Sequence, residues 1–244
     1  MASKHGGDVD YMIVLVHYLM GALFVGWAAY FVYVLFRFRK GANPKADYVG
    51  ARSHASTYIE GAVAFVEAVL LLGFAVPLWA KVVDQLPSPA ESTVVRIVAQ
   101  QFGWNVLMPG KDGAFQKQDM ALVNTENPFG LVKEDPAGKD DVRTLNDLTV
   151  PVNKPVLIHL SSKDVIHSFK VIAMRVTQDA IPGLRIPVHF TPTAVGKYQI
   201  NCAQLCGNGH AAMTQGFLNV VTQEEFEKWA AKNVVAAGGG GGFE

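Results

Sequence analysis

The chain has 244 residues, with 21 basic residues balanced by 21 acidic ones, so its bulk composition carries no nucleic-acid footprint. Half of its residues are hydrophobic and only 17% are charged, an excess that excludes an ordinary soluble domain if it is concentrated in a few segments.

It is concentrated near the start. Tyr11 to Phe36 holds no Asp, Glu, Lys or Arg, and His17 is its strongly polar residue. A bilayer core of about 30 Å takes roughly 20 apolar residues in a helix. A buried helix of a soluble protein rarely runs so long without a charge. The run also exceeds the apolar part of a cleaved signal peptide and lacks a basic lead-in. A second apolar run spans about Tyr58 to Ala80, with Glu60 near its start, Glu67 near its middle and Pro77 near its far end. Carboxyl groups at membrane depth face protein or water, so this helix is expected to pack against a larger partner.

Between the runs lie Arg37, Arg39, Lys40, Lys45 and Arg52 against the single acid Asp47, whereas Lys4 is the one Lys or Arg ahead of the first run. The positive-inside rule puts this loop in the cytoplasm and both chain ends outside. The expected organisation is therefore an N-terminal segment and helical hairpin over residues 1–83, with helices at about 11–36 and 58–80. An extracytoplasmic domain over 84–232 and a flexible glycine-rich tail over 233–244 follow.

In the exported part the pattern changes to short segments rich in Val, Ile and Phe: Thr93–Ala99, Leu148–Val152, Val156–Ser161, His167–Val171, Lys197–Asn201 and Phe217–Val221. Turn residues separate them, which predicts an all-β sandwich or barrel. Residues 110–147 read as a polar excursion from the sheet. Thr222–Lys232 reads as a terminal helix capped by Thr222. The fold class is a membrane-anchored all-β protein.

The two cysteines both lie in Asn201-Cys202-Ala-Gln-Leu-Cys206-Gly-Asn-Gly-His210-Ala-Ala-Met213. Two thiols, an imidazole and a thioether within twelve residues form a soft-ligand set that favours copper or zinc, and the thioether tilts the choice to copper. A Cys202–Cys206 disulfide is the bland alternative, and its short loop would constrain little chain entropy. Structural zinc is another. Upstream, Asp164-Val-Ile-His167-Ser-Phe169 supplies a second imidazole that could complete the site.

With these motifs the chain resembles subunit II of haem–copper cytochrome c oxidases. The resemblance rests on Asp164–Phe169, on Asp179-Ala180-Ile181-Pro182-Gly183 and on the whole 201–213 loop, and covers about nine-tenths of the chain. It implies a cupredoxin-like barrel after the two spans, holding the dinuclear copper centre CuA. Cys202 and Cys206 would bridge the two coppers, His167 and His210 would bind one each, and Met213 and the Gln204 carbonyl would be weaker ligands. The implied role is to accept electrons from cytochrome c or another membrane-associated cytochrome and pass them to haem in subunit I. There oxygen is reduced and protons are pumped. The implied partners are subunits I and III and the lipid bilayer of a bacterial inner membrane, with the copper domain on the periplasmic side.

The sequence departs from the family pattern in places. Where the family has Trp-Tyr-Trp, this chain has Phe102-Gly103-Trp104, so Phe102 stands at the usual point of electron input and Trp104 matches the second Trp. Gln204 replaces a glutamate that helps bind magnesium at the subunit I interface, which puts that ion in doubt because an amide is a poor ligand for a hard cation. Glu60 matches a carboxylate at the mouth of a proton pathway. The acids of 126–147 (Glu126, Glu134, Asp135, Asp140, Asp141, Asp147) could steer a basic donor, or simply solvate a loop. Quinol-oxidase subunits of this architecture, copper chaperones and nitrous oxide reductase are competing readings. The first lacks the copper ligands, the second has one anchor and a thioredoxin-like domain, and the third is soluble and much longer.

Overall fold

The computed structural model describes residues 1–42, 44–45, 48–50 and 52–234. The glycine-rich stretch Gly238–Gly242 and the loop acid Asp47 lie outside the described residues. The chain divides into two compact units, Asp8–Asp84 and a second made of Met1–Gly7 with Gln85 onward.

The first unit is helical. Helix α1 (Gly6–Arg37) and the continuous helical stretch Ala55–Val83 are both long and apolar enough to cross a membrane. The second stretch comprises α2 (Ala55–Leu70), a wide π turn (Leu71–Ala75) and α3 (Val76–Val83). Pro77 explains the interruption. It has no N–H to donate four residues back, and its ring crowds the carbonyl there, so the ladder widens just ahead of it. Lys81 and Asp8 form an exposed ion pair at 2.8 Å.

The second unit holds two five-stranded sheets. Sheet one has the order β3 (Val142–Leu145), β2 (Gly103–Met108), β1 (Thr93–Gln100), β5 (Val156–Ser162), β8 (Ile186–Phe190). Sheet two has the order β4 (Asp147–Pro151), β10 (Gly216–Val221), β9 (Gly196–Cys202), β6 (His167–Val171), β7 (Val176–Ala180). Helix α4 (Gln223–Lys232) closes the described chain; Thr222 accepts from the Glu225 N–H while Glu225 reaches back to the Thr222 N–H.

The core follows from alternation. Strand β1 buries every second residue, sending Val95, Ile97 and Ala99 inward to meet Ile158, Leu160, Phe169, Ile200 and Leu218. Strand β2 is buried on both faces. Its inner face contributes Trp104, Val106 and Met108, while Leu107 joins Phe129 and Leu131 in a second cluster with Val98 and Phe115. The polar excursion therefore folds back over the outside of sheet one. It is not structureless to residue 147: Val142–Leu145 pairs with β2, in a register that sets Val142 opposite Met108.

The excursion's acids are largely engaged in holding it. Asp135 accepts from the Lys117 and Ala137 N–H groups, Asp140 from Lys111, and Asp141 from Gln116. Asp147 braces Thr149, Asn219 and Trp229. Glu126 and Glu134 are exposed, so the acidic bias read from the sequence is mostly internal bracing.

The first residues also belong to this unit. The Ala2 N–H donates to Ala173 O at 2.9 Å, Thr193 N–H to Ala2 O at 2.8 Å, and Lys4 N–H to Thr191 O at 2.9 Å. Ser3 pairs with Pro192 as an antiparallel bridge, and its hydroxyl donates to Met174 O at 2.7 Å. Ala2, Ser3, His5 and Gly6 are buried.

Candidate metal centre

Two segments meet at one end of sheet two. Strand β6 begins at His167 and pairs Phe169 with Cys202 at the end of β9. The loop after β9 then turns back through a 3-10 helix (His210–Gln215) into β10. Gly207 has a φ of 136°, a conformation that L side chains rarely adopt.

The donor atoms converge. Cys202 Sγ lies 3.9 Å from Cys206 Sγ, 4.0 Å from His167 Nδ1 and 3.0 Å from the Gln204 carbonyl oxygen. Cys206 Sγ lies 3.3 Å from His210 Nδ1. His167, Cys202 and Cys206 form the metal-competent cluster found among the described residues. Both cysteines are free thiols, and their separation is far beyond the roughly 2.05 Å of a disulfide bond. Burial, then the neighbouring Cys202 thiol, push the Cys206 thiol up to about 11. Met213 is fully buried. The Gln204 side chain is exposed, as is Leu205.

The surrounding residues fix these groups. Trp104 is fully buried, donates from Nε1 to Met213 O at 3.1 Å, and packs edge-on to His167 and Phe169. Phe102 is half-buried and lies over the loop: a Cβ added at Gly209 would fall 2.4 Å from its ring. Of the two aromatic candidates, Phe102 reaches the surface and Trp104 does not. Glu60 and Glu67 are exposed positions on α2, distant in sequence from this centre.

Two residues of the site were not assigned a role from sequence. Asp164 Oδ1 lies 2.9 Å from His167 Nε2, a contact that turns Nδ1 towards Cys202. Gln101 then ties both halves together. Its N–H donates to Asp164 Oδ2 at 2.8 Å, and its side-chain amide donates to Cys206 O at 2.6 Å. Burial opposes the charge on Asp164, but the N–H of Gln101, the His167 ring and the Val165 N–H outweigh it and hold the carboxyl below the usual range. The Asp-x-x-His spacing was the readable signal for Asp164. Nothing local announces Gln101.

The alternative cytochrome c oxidase subunit 2 of Bradyrhizobium diazoefficiens is 32% identical over 238 residues, covering 97% of this chain and 84% of that one. The chain belongs to the cytochrome c oxidase subunit II family. A family description, the periplasmic domain of cytochrome c oxidase subunit II, matches residues 119–220. The probable cytochrome c oxidase subunit 2 of Rickettsia bellii is 30% identical over 224 residues, covering 91% of this chain and 78% of the relative. The crystal structure of the periplasmic domain of subunit II of cytochrome oxidase of Bradyrhizobium japonicum covers 61% of this chain and 96% of its own, at 26% identity and a TM-score of 0.45. As a subunit II, the chain is a membrane-anchored component of an oxidase complex, with two span-length helices and a β domain that carries the Cys–His cluster.

Proposed function

We propose that this subunit II receives electrons for a terminal cytochrome c oxidase through a dinuclear copper centre of the CuA type. The carrying observation is that soft donors from two segments, 35 residues apart at Cys202 and His167, meet in one pocket lined by the buried core. The donor set fits copper: two free thiols close enough to share metal ions, two imidazole nitrogens and a buried thioether. His167, Cys202, the Gln204 carbonyl, Cys206, His210 and Met213 would hold the metal. A copper pair bound there would supply reversible one-electron exchange.

The protein's own part is to keep that pocket still. Asp164 holds the His167 tautomer, Trp104 wedges His167 and the Met213 carbonyl, and Gln101 locks the loop to β1. Rigid ligands in a mostly apolar shell limit the rearrangement that accompanies a change of charge. Phe102, as the aromatic at the surface of the loop, is the side from which a cytochrome c or other cytochrome donor would approach. A magnesium ion at the subunit I interface would find only the neutral Gln204 amide on this loop, so its hard ligands would come from the partner. Glu60, near the basic end of the second span, would serve proton uptake into subunit I, and subunit III would complete the membrane assembly.

Two observations support an orientation for the chain. The loop between the spans carries the Lys and Arg excess, and the packing of the first residues into the same unit as the C-terminal domain supports an even number of crossings. Both termini and the copper domain would therefore lie outside a bacterial inner membrane.

Copper content and an electron paramagnetic resonance spectrum of the full chain in detergent test this reading. The expected result is two coppers per chain sharing one unpaired electron. One copper per chain, or none with a Cys202–Cys206 disulfide, overturns it.

A further inference from the structure

The outer face of sheet one holds a second concentration of chemistry, remote in sequence from the copper ligands. Strands β1 and β5 run in parallel with Arg96 opposite His159, and β5 pairs with β8 so that His159 faces Pro187, two residues after Arg185. Neighbouring strands thus set Arg96, His159 and Arg185 side by side. They line a cleft of about 480 Å³ together with Lys163 and Gln118. No Asp or Glu lines it. Met120, Phe129 and Leu184 give it an apolar wall. The volume lies within the range of small-molecule sites.

The Arg96 guanidinium is short of acceptors. Arg96 Nη1 donates to Gln118 Oε1 at 2.8 Å, and Arg185 Nη2 donates to that same oxygen at 3.2 Å. One neutral amide oxygen therefore answers two cations. Arg96 Nε is buried with no hydrogen-bond partner. Arg96 is also fixed in place, its guanidinium lying 3.9 Å over the Phe115 ring. Asp141 is the acid whose charge reaches Arg96, and it is shared with Arg143 and with the Gln116 N–H. A guanidinium held rigid and under-satisfied at Arg96, with the exposed Arg185 guanidinium beside it, suits the planar, multi-oxygen face of a carboxylate or phosphate.

We infer that this cleft binds a small organic anion, a carboxylate or phosphate monoester, whose oxygens sit between Arg96 and Arg185 beside Gln118. The apolar wall accepts a short hydrocarbon body, and Lys163 and His159 face the anion from the rim. Binding here does not depend on copper, so the inference stands apart from the function proposed above.

His159 is a reporter for the cleft. Its ring is held below the ordinary histidine range by burial, then by the Arg185 and Arg96 charges. An anion that neutralises those charges returns it upward. The test uses the full chain in detergent, titrated with inorganic phosphate or with citrate against chloride at matched ionic strength. The expected result is saturable binding of one or both, a His159 imidazole resonance that titrates at higher pH when the anion is bound, and affinity reduced about tenfold or more by Arg185→Gln, as the loss of a charge-assisted pair implies. Arg185 is exposed, so that variant removes a cation without opening the core. Gln118→Ala, which removes the neutral oxygen and keeps both cations, should bind at least as tightly. Binding of neither probe, or equal binding by the Arg185→Gln chain, overturns the inference. So does loss of binding in the assembled oxidase, because the cations would then answer a partner subunit's acid.

Discussion

Asp164 occupies 26% exposed side-chain surface beside a histidine with none, so the pair is a buried ring oriented by a partly wet carboxylate. Replacing the carboxylate by an amide keeps the shape and loses the strong acceptor. In the copper-loaded chain, Asp164→Asn should lower copper affinity by about 10- to 100-fold, as loss of such an orienting partner does elsewhere. Competition with a copper chelator measures it, and unchanged affinity would remove Asp164 from the site.

A second residue makes a pH prediction. Burial raises the Asp141 carboxyl above its ordinary range, while the Gln116 N–H and the Arg143 charge pull the other way. A carboxyl raised in the folded state contributes its stability fully below the unfolded value of about 3.9, and loses it as pH rises through the folded value. An Asp141→Asn chain lacks this titration. The stability of the parent chain minus that of the variant should therefore fall as pH rises from roughly 3 to 6. Denaturant midpoints of both chains at each pH give the difference, and a rising difference would mean that the hydrogen bond and Arg143 dominate over burial.

Among the elements, β2 and the excursion depend on each other. Leu107 is fully buried on the face of β2 that points away from the main core, against Phe129 and Leu131. Leu107→Ala should cost about 2–5 kcal/mol, the range for a buried leucine that leaves a cavity. The cost should appear first as faster proteolysis within residues 110–140, ahead of global unfolding. Equal cleavage rates would show that the excursion is held by its carboxylate braces alone.

This mutual burial also explains what the sequence could not convey. The six strands expected from their Val, Ile and Phe content all exist, each within two residues of its expected bounds, because each alternates or lies between turns. Strand β2 was invisible since both faces are covered and it opens on Gly103. Strands β3 and β7 sit at sheet edges, where polar residues such as Arg143, Thr177 and Gln178 are tolerated. Strand β8 carries Pro187, which an edge accepts and a central strand does not. The convergence of Cys202, Cys206 and His210 was legible because these donors are local, within nine residues of one another. The cationic cleft was not, because Arg96, His159 and Arg185 are brought together only by strand order. Likewise, the sequence left the acids of 126–147 open between steering a donor and solvating a loop, because the groups that engage Asp135, Asp140, Asp141 and Asp147 are set by the fold.

At the scale of the whole molecule, the first residues matter more than their position suggests. Ala2 and Ser3 are buried within the β unit and hydrogen-bonded to Ala173, Met174 and Thr193. Deleting residues 2–5 from the full chain should lower the melting temperature of the β unit by several degrees, since a loss of 1 kcal/mol shifts a domain of 150–250 residues by about 2–4 °C. Calorimetry of the two chains in the same detergent checks this, and coincident transitions would mean the contact adds nothing. A soluble piece starting at Gln85 would lack the same edge.

That edge contact spans 171 positions between Ser3 and Met174. During synthesis, the partners of the first residues emerge only after both apolar helices and seven in every ten residues have been made. The first residues wait, their amides served by water, until Ala173, Met174 and the Thr191–Thr193 segment have been made. Closing so long a loop is entropically slow, so the docking of the first residues onto the β unit belongs late in folding. Metal loading before that moment would meet a domain whose edge between Pro192 and Ala173 is still open to solvent.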